Sequence, residues 1–431
     1  MLITTDAVGG VWTYALTLAR GLVARGAPVV LAVIGPQASA AQVQAADGIR
    51  VVQTGLPLDW MAPDLGALEH TAQRLAALAA LVGAGSVHLH APALVGSAVW
   101  PVPVVAVTHS CVATWWDAVR GGPPPPDLAW RIAATAAGLR GAACVIAPTL
   151  AHAAATTALY GRLRIAVVHN GSDVAAPHTG DYSLRSALAA SADQQGVGAA
   201  PVDAPGIGGS GGTAGARPNE DENASLATNS RPPLRIDPVE ARGPKAGSSN
   251  TVSANDAEYD PGAVREPFVL TAGRLWDEGK GVAWLDRAVP GLGMPVQAAG
   301  PVQGPSGGMA AFPNLTLLAT LDTAAMAQAY AAASVYASMA IYEPFGLAVL
   351  EAAQAGCALV LRDIPSAREL WDGAAVFVAD EAGLVPALRS AVLYSPALGA
   401  CARERAARYT AGAMVDGTLA LHRALHRTLA S

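Results

Sequence analysis

Short runs of Val, Ile, Leu and Ala recur along this chain, and most are followed by a longer stretch with helical spacing. Strands that are apolar on both faces must be covered on both sides, which suits a parallel sheet with helices packed above and below it. Leu2 to Thr5 reads as a strand, Asp6 to Gly10 as a turn, Trp12 to Arg25 as a helix and Pro28 to Ile34 as the next strand, a βαβ opening. Further strands are expected at Ile49 to Gln53, Val87 to His90, Val102 to Val107, Cys144 to Ala147 and Ile165 to Val168. The pattern resumes at Pro267 to Ala272 and continues through Met294 to Ala299, Leu315 to Leu318, Val335 to Ser338, Ala358 to Leu361 and Ala375 to Val378. From Gly412 to Leu429 the apolar residues Met414, Leu419, Leu421, Leu425 and Leu429 fall at helical spacing, so the chain should close on an amphipathic helix.

Between the two series the character changes to Gly, Ala, Ser, Pro, Asn and Asp, including Gly206-Ile-Gly-Gly-Ser-Gly-Gly-Thr-Ala-Gly215. Such sequence buries too little to order itself, so residues 175–264 are expected to be a disordered insertion carrying at most a short helix at Tyr182 to Ala192. The division that follows is an N-terminal α/β domain over 1–174, the insertion over 175–264, a second α/β domain over 265–410 and the closing helix over 411–431. A chain of 431 residues also exceeds what one core usually organises.

Composition excludes several classes of partner. A net charge of −6 with interspersed signs leaves no basic stripe to neutralise a nucleic-acid backbone. Cys111, Cys144, Cys357 and Cys401 lie far apart in apolar or Ala-rich settings, which points to reduced, buried thiols rather than a disulfide framework or zinc site. The opening Met1-Leu-Ile-Thr-Thr-Asp6 has no basic region or cleavable apolar segment, and no run supplies the roughly 20 clean apolar residues of a membrane span. A cytoplasmic protein is expected, with peripheral contact at the inner face of the membrane left open. His88 and His90 alternate along a strand, but no nearby Asp, Cys or third His completes a metal site, so they read as structural.

Lys280 is the sole lysine outside the low-complexity insertion, in a chain that otherwise writes Arg, which suggests a need for a compact ammonium at that position. The strongest local signal is Tyr342-Glu-Pro-Phe-Gly-Leu-Ala-Val-Leu-Glu-Ala-Ala-Gln-Ala-Gly356. Pro344 suits the first turn of a helix but not its interior, which puts Glu343 in the loop before the helix and Glu351 about two turns in. Both carboxylates could then face one cleft.

This segment resembles the Glu-x7-Glu motif of retaining GT-B glycosyltransferases, particularly family 4 (glycosyl transferases group 1). Gly273-Arg-Leu-Trp-Asp-Glu-Gly-Lys-Gly-Val282 is similar to that family's Gly-Arg-Leu segment ending in Lys-Gly, Val168-His-Asn-Gly-Ser-Asp173 to its Asn-Gly turn, and Ala358 to Gly373, with Glu369, to the strand and loop after the motif. Gly279 departs from the pattern, where the family often has a polar residue. The resemblance implies two Rossmann-like, doubly wound α/β domains facing a cleft, and a hexosyltransferase moving sugar from a nucleotide-diphosphate sugar with retention and without a metal or other cofactor. The acceptor would be a sugar, a lipid-linked molecule or a small molecule; the oligomeric state is not indicated.

The same resemblance assigns roles. Arg274 and Lys280 would hold the donor diphosphate in place of a divalent cation, Glu343 would contact the donor sugar and Glu351 the ribose. Backbone N–H groups of Phe345, Gly346 and Leu347, together with the Gly9-Gly10 turn, would add donors near sugar and phosphate. His109 follows a sheet strand, where the family often has a histidine near the reacting sugar, although a core role fits it too. Trp115, Trp116 and Asp117 could bind the acceptor or equally cap the core. Two other readings share these residues: a nucleotide-sugar 2-epimerase and a non-catalytic sugar-nucleotide binder.

Overall fold

The computed structural model describes residues 1–7, 9–173, 266–304 and 307–430. The segment 175–264, with the helix expected at Tyr182 to Ala192, lies outside the described residues.

Two parallel sheets organise the described chain. The first contains β1 (Leu2–Thr5), β2 (Val30–Val33), β3 (Arg50–Gln53), β4 (Val87–Leu89), β5 (Val104–Val107), β6 (Cys144–Ala147) and β7 (Ile165–Val167), in the order β3-β2-β1-β4-β5-β6-β7. The second contains β8 (Glu266–Ala272), β9 (Val296–Ala299), β10 (Thr316–Leu317), β11 (Ala333–Ser338), β12 (Ala358–Arg362) and β13 (Val376–Val378), in the order β10-β9-β8-β11-β12-β13. Every expected strand is present. β5 and β6 are buried along their whole length, so their apolar runs face cores on both sides of the sheet, and β1 is buried throughout with its two threonines. Helices cover both sheets, giving two Rossmann-like layers of the doubly wound kind.

In each sheet the winding direction reverses once, between β1 and β4 in the first and between β8 and β11 in the second. In such sheets the loops after the strands diverge at the reversal and open a crevice for a ligand. The Gly9-Gly10 turn follows β1 and His90 follows β4; Gly273 and Arg274 follow β8, and Glu343 follows β11. The fold alone therefore brings most of the candidate residues to the two crevices.

The closing helix (Ala411–Ala430) packs on the N-terminal sheet rather than on the one that precedes it. Met414 and Val415 are buried with Trp12, Tyr14 and Leu18 of the first helix (Gly10–Ala24), Leu421 and Leu425 cover Val105 and Val107, and Arg25 bonds Asp416 at 2.7 Å. Gly21 makes the close approach feasible, since a β-carbon there would stand 2.3 Å from Val415. Among the described residues no single helix is long and apolar enough to cross a membrane. The thiols differ from expectation: Cys144 and Cys357 are buried, but Cys111 is half-buried and Cys401 is exposed, because Cys401 lies on the outer face of the helix Ser395–Ala406.

Candidate functional site

The loop from Gly273 to Val282 is built around one aspartate. Asp277 is buried, accepting from Gly279 N at 3.0 Å and from Arg274 Nη2 at 3.0 Å. Arg274 keeps about half its side chain exposed, so its guanidinium is aimed but still open to a ligand. The chain then turns through Gly281, whose φ of 63° belongs to the left-handed region and whose missing β-carbon leaves room for the Met339 carbonyl. The stem of Lys280 passes beside Gly273, and its Nζ reaches Glu343 Oε2 at 2.6 Å. Lys280 and Glu343 are 22% and 24% exposed, so the pair sits at a site wall and not on open surface.

The second half of the motif starts later than the sequence suggests. Gly346 takes φ 87°, which stops the helix from running back to Pro344, so the helix spans Leu347–Gln354. Glu343, Pro344, Phe345 and Gly346 all lie ahead of it, and Glu351 is about one turn in rather than two. Gly346 and Phe345 therefore do not lend first-turn N–H groups; those belong to Leu347 and the residues after it, and Leu350 N is the first bonded back, to Gly346 O at 3.0 Å. Phe345 instead packs in the core at 5.8 Å from the ring of Tyr409.

Two tyrosines outside the motif lie near the carboxylates: one bonds Glu351, and the other, Tyr336, donates its proton to the Ala272 carbonyl at 3.2 Å. Tyr330 donates to Glu351 Oε2 at 3.3 Å, and Tyr336 lies where both Glu343 and Glu351 raise its pKa further after burial has done most of the work. Burial raises Glu351 itself to about 7, and the Tyr330 hydrogen bond opposes part of that rise. Glu343, paired with Lys280, and Glu351, bonded by Tyr330, thus both act on the Tyr336 phenol, with Arg274 on the adjoining turn.

The N-terminal half completes the surroundings. Gly9 adopts φ 75° ahead of the first helix, and a β-carbon on Gly10 would stand 3.6 Å from Leu347, so the Gly-Gly turn faces the start of the motif helix. His109 Nε2 and His90 Nδ1 lie 3.1 Å apart and share a proton, while the Tyr14 ring packs edge-on against His109 at 4.7 Å. Burial, followed by nearby His152, lowers His109 to about 3, so it is a neutral imidazole at physiological pH. His88 Nδ1 meets His422 Nε2 of the closing helix at 3.2 Å, which makes His88 part of the packing between them. Among the described residues no group of three or more His, Cys, Asp or Glu side chains is placed to hold a metal ion.

The tryptophans after His109 divide. Trp115 donates to Asp277 Oδ1 at 3.2 Å, so its indole is committed to the Arg274 loop of the other half. This accounts for Gly279, where a β-carbon would stand 2.9 Å from Trp115 Nε1. Trp116 Nε1 is buried with no partner among the described residues, and Asp117 is exposed. Arg120 pairs with Glu278 at 2.5 Å and Thr114 with the Tyr342 hydroxyl at 2.7 Å, so the two halves meet along this helix. Tyr330 carries no local spacing signal, and the contacts of Asp277 with Trp115 and of His90 with His109 come from residues distant in sequence.

Comparisons with known proteins bear on the fold and the family. Residues 8–176 match the model of Glycosyltransferase Family 4, and residues 266–393 match that of Glycosyl transferases group 1. No curated protein sequence matches the chain. Among solved structures, sucrose-phosphate synthase from Thermosynechococcus elongatus superposes with a TM-score of 0.65 at 16% identity, covering 99% of this chain and 100% of that one. HepE from Anabaena, solved in complex with UDP-glucose, gives 0.61 at 14% identity, covering 100% of this chain and 99% of that one. A glycosyltransferase from Rickettsia africae gives 0.60 at 12% identity over 98% and 97%. The chain belongs to the GT-B glycosyltransferases, with a family 4 N-terminal half and a group 1 C-terminal half.

Proposed function

We propose that this glycosyltransferase moves a hexose from a nucleotide-diphosphate sugar to an acceptor with retention of configuration and without a metal ion. The domain of residues 265–410 holds the donor, and that of residues 1–174 presents the acceptor. One observation carries the reading: the Lys280 ammonium sits on Glu343 at 2.6 Å at the crevice where the second sheet reverses, with Arg274 on the adjoining turn.

A diphosphate brings negative charge to that crevice. Arg274 supplies a planar fork and Lys280 a point charge, and both stay fixed while the bond from sugar to phosphate breaks and charge grows on the leaving oxygen. Cations preset for the charge of the transition state lower the barrier as well as the dissociation constant. Glu343, directed by Lys280, accepts hydrogen bonds from sugar hydroxyls. Glu351, directed by Tyr330, accepts from the ribose diol. Neutral His109 at the end of β5 offers the sugar a hydrogen bond without adding a charge.

HepE is solved with UDP and with UDP-glucose, which makes UDP-glucose the first donor to try, followed by GDP and ADP sugars. A thermal-shift screen should show one nucleotide class raising the melting temperature, and the anomeric configuration of the product reports retention. Lys280→Ala and Glu343→Ala should each lower kcat/KM by roughly 10²–10³ while the fold is kept. EDTA should leave the rate unchanged. Near-normal turnover in either variant, or strict dependence on a divalent ion, overturns the mechanism, and isomerised nucleotide-sugar formed from donor alone would replace transfer with epimerisation.

A further inference from the structure

We propose that Thr149 and Glu369 are positioning residues that latch the two lobes together and, through the backbone of the motif loop, set the orientation of Glu343. The inference rests on the donor-site reading above and adds two residues to which that reading gives no part.

The helix Leu150–Tyr160 belongs to the N-terminal lobe, and its first turn must find acceptors for N–H groups that have no partner within the helix. Thr149 caps it in the ordinary way, its hydroxyl accepting from His152 N at 3.0 Å. The next two N–H groups are satisfied from across the cleft. Leu150 N donates to Glu369 Oε1 at 2.8 Å and Ala151 N to Glu369 Oε2 at 2.7 Å, so both carboxylate oxygens are engaged where the helix dipole favours an anion.

The Thr149 hydroxyl has one proton to give, and it gives it to the carbonyl of Pro344 at 2.9 Å. The carbonyl of the preceding residue, Glu343, accepts from Ser366 Oγ at 2.6 Å. Ser366 and Glu369 share the helix Pro365–Trp371 and stand three residues apart, on one face. That short helix therefore grips the motif loop with one residue and the N-terminal lobe with the other, while Thr149 grips the same loop from the opposite lobe. Consecutive carbonyls on either side of the Glu343–Pro344 bond are held from two lobes, and Pro344 loses its partner when the lobes part. Closure and the aim of the Glu343 carboxylate are thus coupled through backbone hydrogen bonds.

The test compares Thr149→Val, Thr149→Ser and Glu369→Gln with the wild type, using UDP-glucose or whichever nucleotide-sugar supports turnover, well below the melting temperature. Thr149→Val should lower kcat roughly tenfold or more, as expected for a displaced catalytic geometry, while KM for donor and the Kd of the free nucleoside diphosphate move less than about threefold. Thr149→Ser, which keeps the proton, should recover most of kcat, and Glu369→Gln should resemble Thr149→Val. A mere helix cap would lower the melting temperature and leave kcat alone; unchanged kcat in Thr149→Val and Glu369→Gln overturns the proposal. If the wild type turns over no donor, the donor-site reading fails, and small-angle scattering decides the latch separately. The Thr149→Val/Glu369→Gln double variant should then show a larger radius of gyration than wild type, and an equal radius overturns the latch.

Discussion

At the residue scale Glu351 carries the sharpest consequence. Its carboxyl is raised from 4.5 to about 7 by burial, with Tyr330 offsetting part of the rise. Below pH 4.5 the group is protonated whether the chain is folded or not, and stability does not depend on it. Between 4.5 and about 7 the folded protein keeps a proton that the unfolded chain has lost, so stability falls as pH rises and the full cost, on the order of 3 kcal/mol, is present above pH 7. Glu351→Gln is therefore expected to match the wild type in urea midpoint near pH 4.5 and exceed it at pH 8; equal midpoints at both would show a carboxyl with an ordinary pKa. Because the ionised form is the better acceptor for a diol, nucleotide-sugar affinity should rise severalfold in the wild type between pH 6 and 8 and stay flat in the variant. The two motif glutamates were legible in the sequence because a Pro-Phe-Gly turn and a fixed spacing set them apart. Tyr330 was not, because nothing local distinguishes a tyrosine that orients a carboxylate from one that fills a core, and Tyr330 does both here.

At the element scale, strands were readable where burial on both faces forces unbroken apolar runs, as in β5 and β6, which fall where the pattern places them. Helix starts were less so. Pro344 marks a permitted first turn, but Gly346 in the left-handed region sets the real one, and backbone conformation at a glycine is not written in its neighbours. The Arg274-to-Lys280 turn depends on glycine in the same way. At Gly281 an alanine would combine φ 63° with a β-carbon 2.0 Å from the Met339 carbonyl, and backbone cannot swing aside as a side chain does. Gly281→Ala is expected to cost about 3 kcal/mol or more, seen as a lower urea midpoint, and to abolish nucleotide-sugar binding by displacing Lys280. Gly293→Ala, which has a φ of 74° but no atom within 4 Å of the added carbon, is the matched control and should lose only about 1 kcal/mol with binding intact. A Gly281→Ala protein as stable as that control would mean the loop shifts freely.

At the scale of the whole molecule the amphipathic stripe of the closing helix told that it packs, not on which sheet. The partner became visible only in three dimensions, where His422 meets His88 beneath β4 and joins an array with His90, His109 and Tyr14. All of these imidazoles, and His152 beside them, are pushed below their ordinary value of 6.5, chiefly by burial: His422 and His152 to about 4, His109 to about 3, His88 and His90 well down. Their folded form is neutral. Above pH 6.5 neither state binds protons at these sites and stability is complete; below it the unfolded chain takes up protons that the folded one refuses, and stability is lost as pH falls toward 4, by at most about 1.4 kcal/mol per pH unit for each group. Glu351 acts in the opposite direction over the same window, so the measurement belongs in a Glu351→Gln background. There the urea midpoint should be level above pH 7 and fall steeply from 6.5 to 4.5, and His422→Gln should make that fall shallower by up to one proton's worth. A slope that His422→Gln leaves untouched would place the acid response away from the junction of the closing helix with the N-terminal sheet. If the slope does respond, the last helix in the sequence holds the first lobe together only while its histidine stays uncharged.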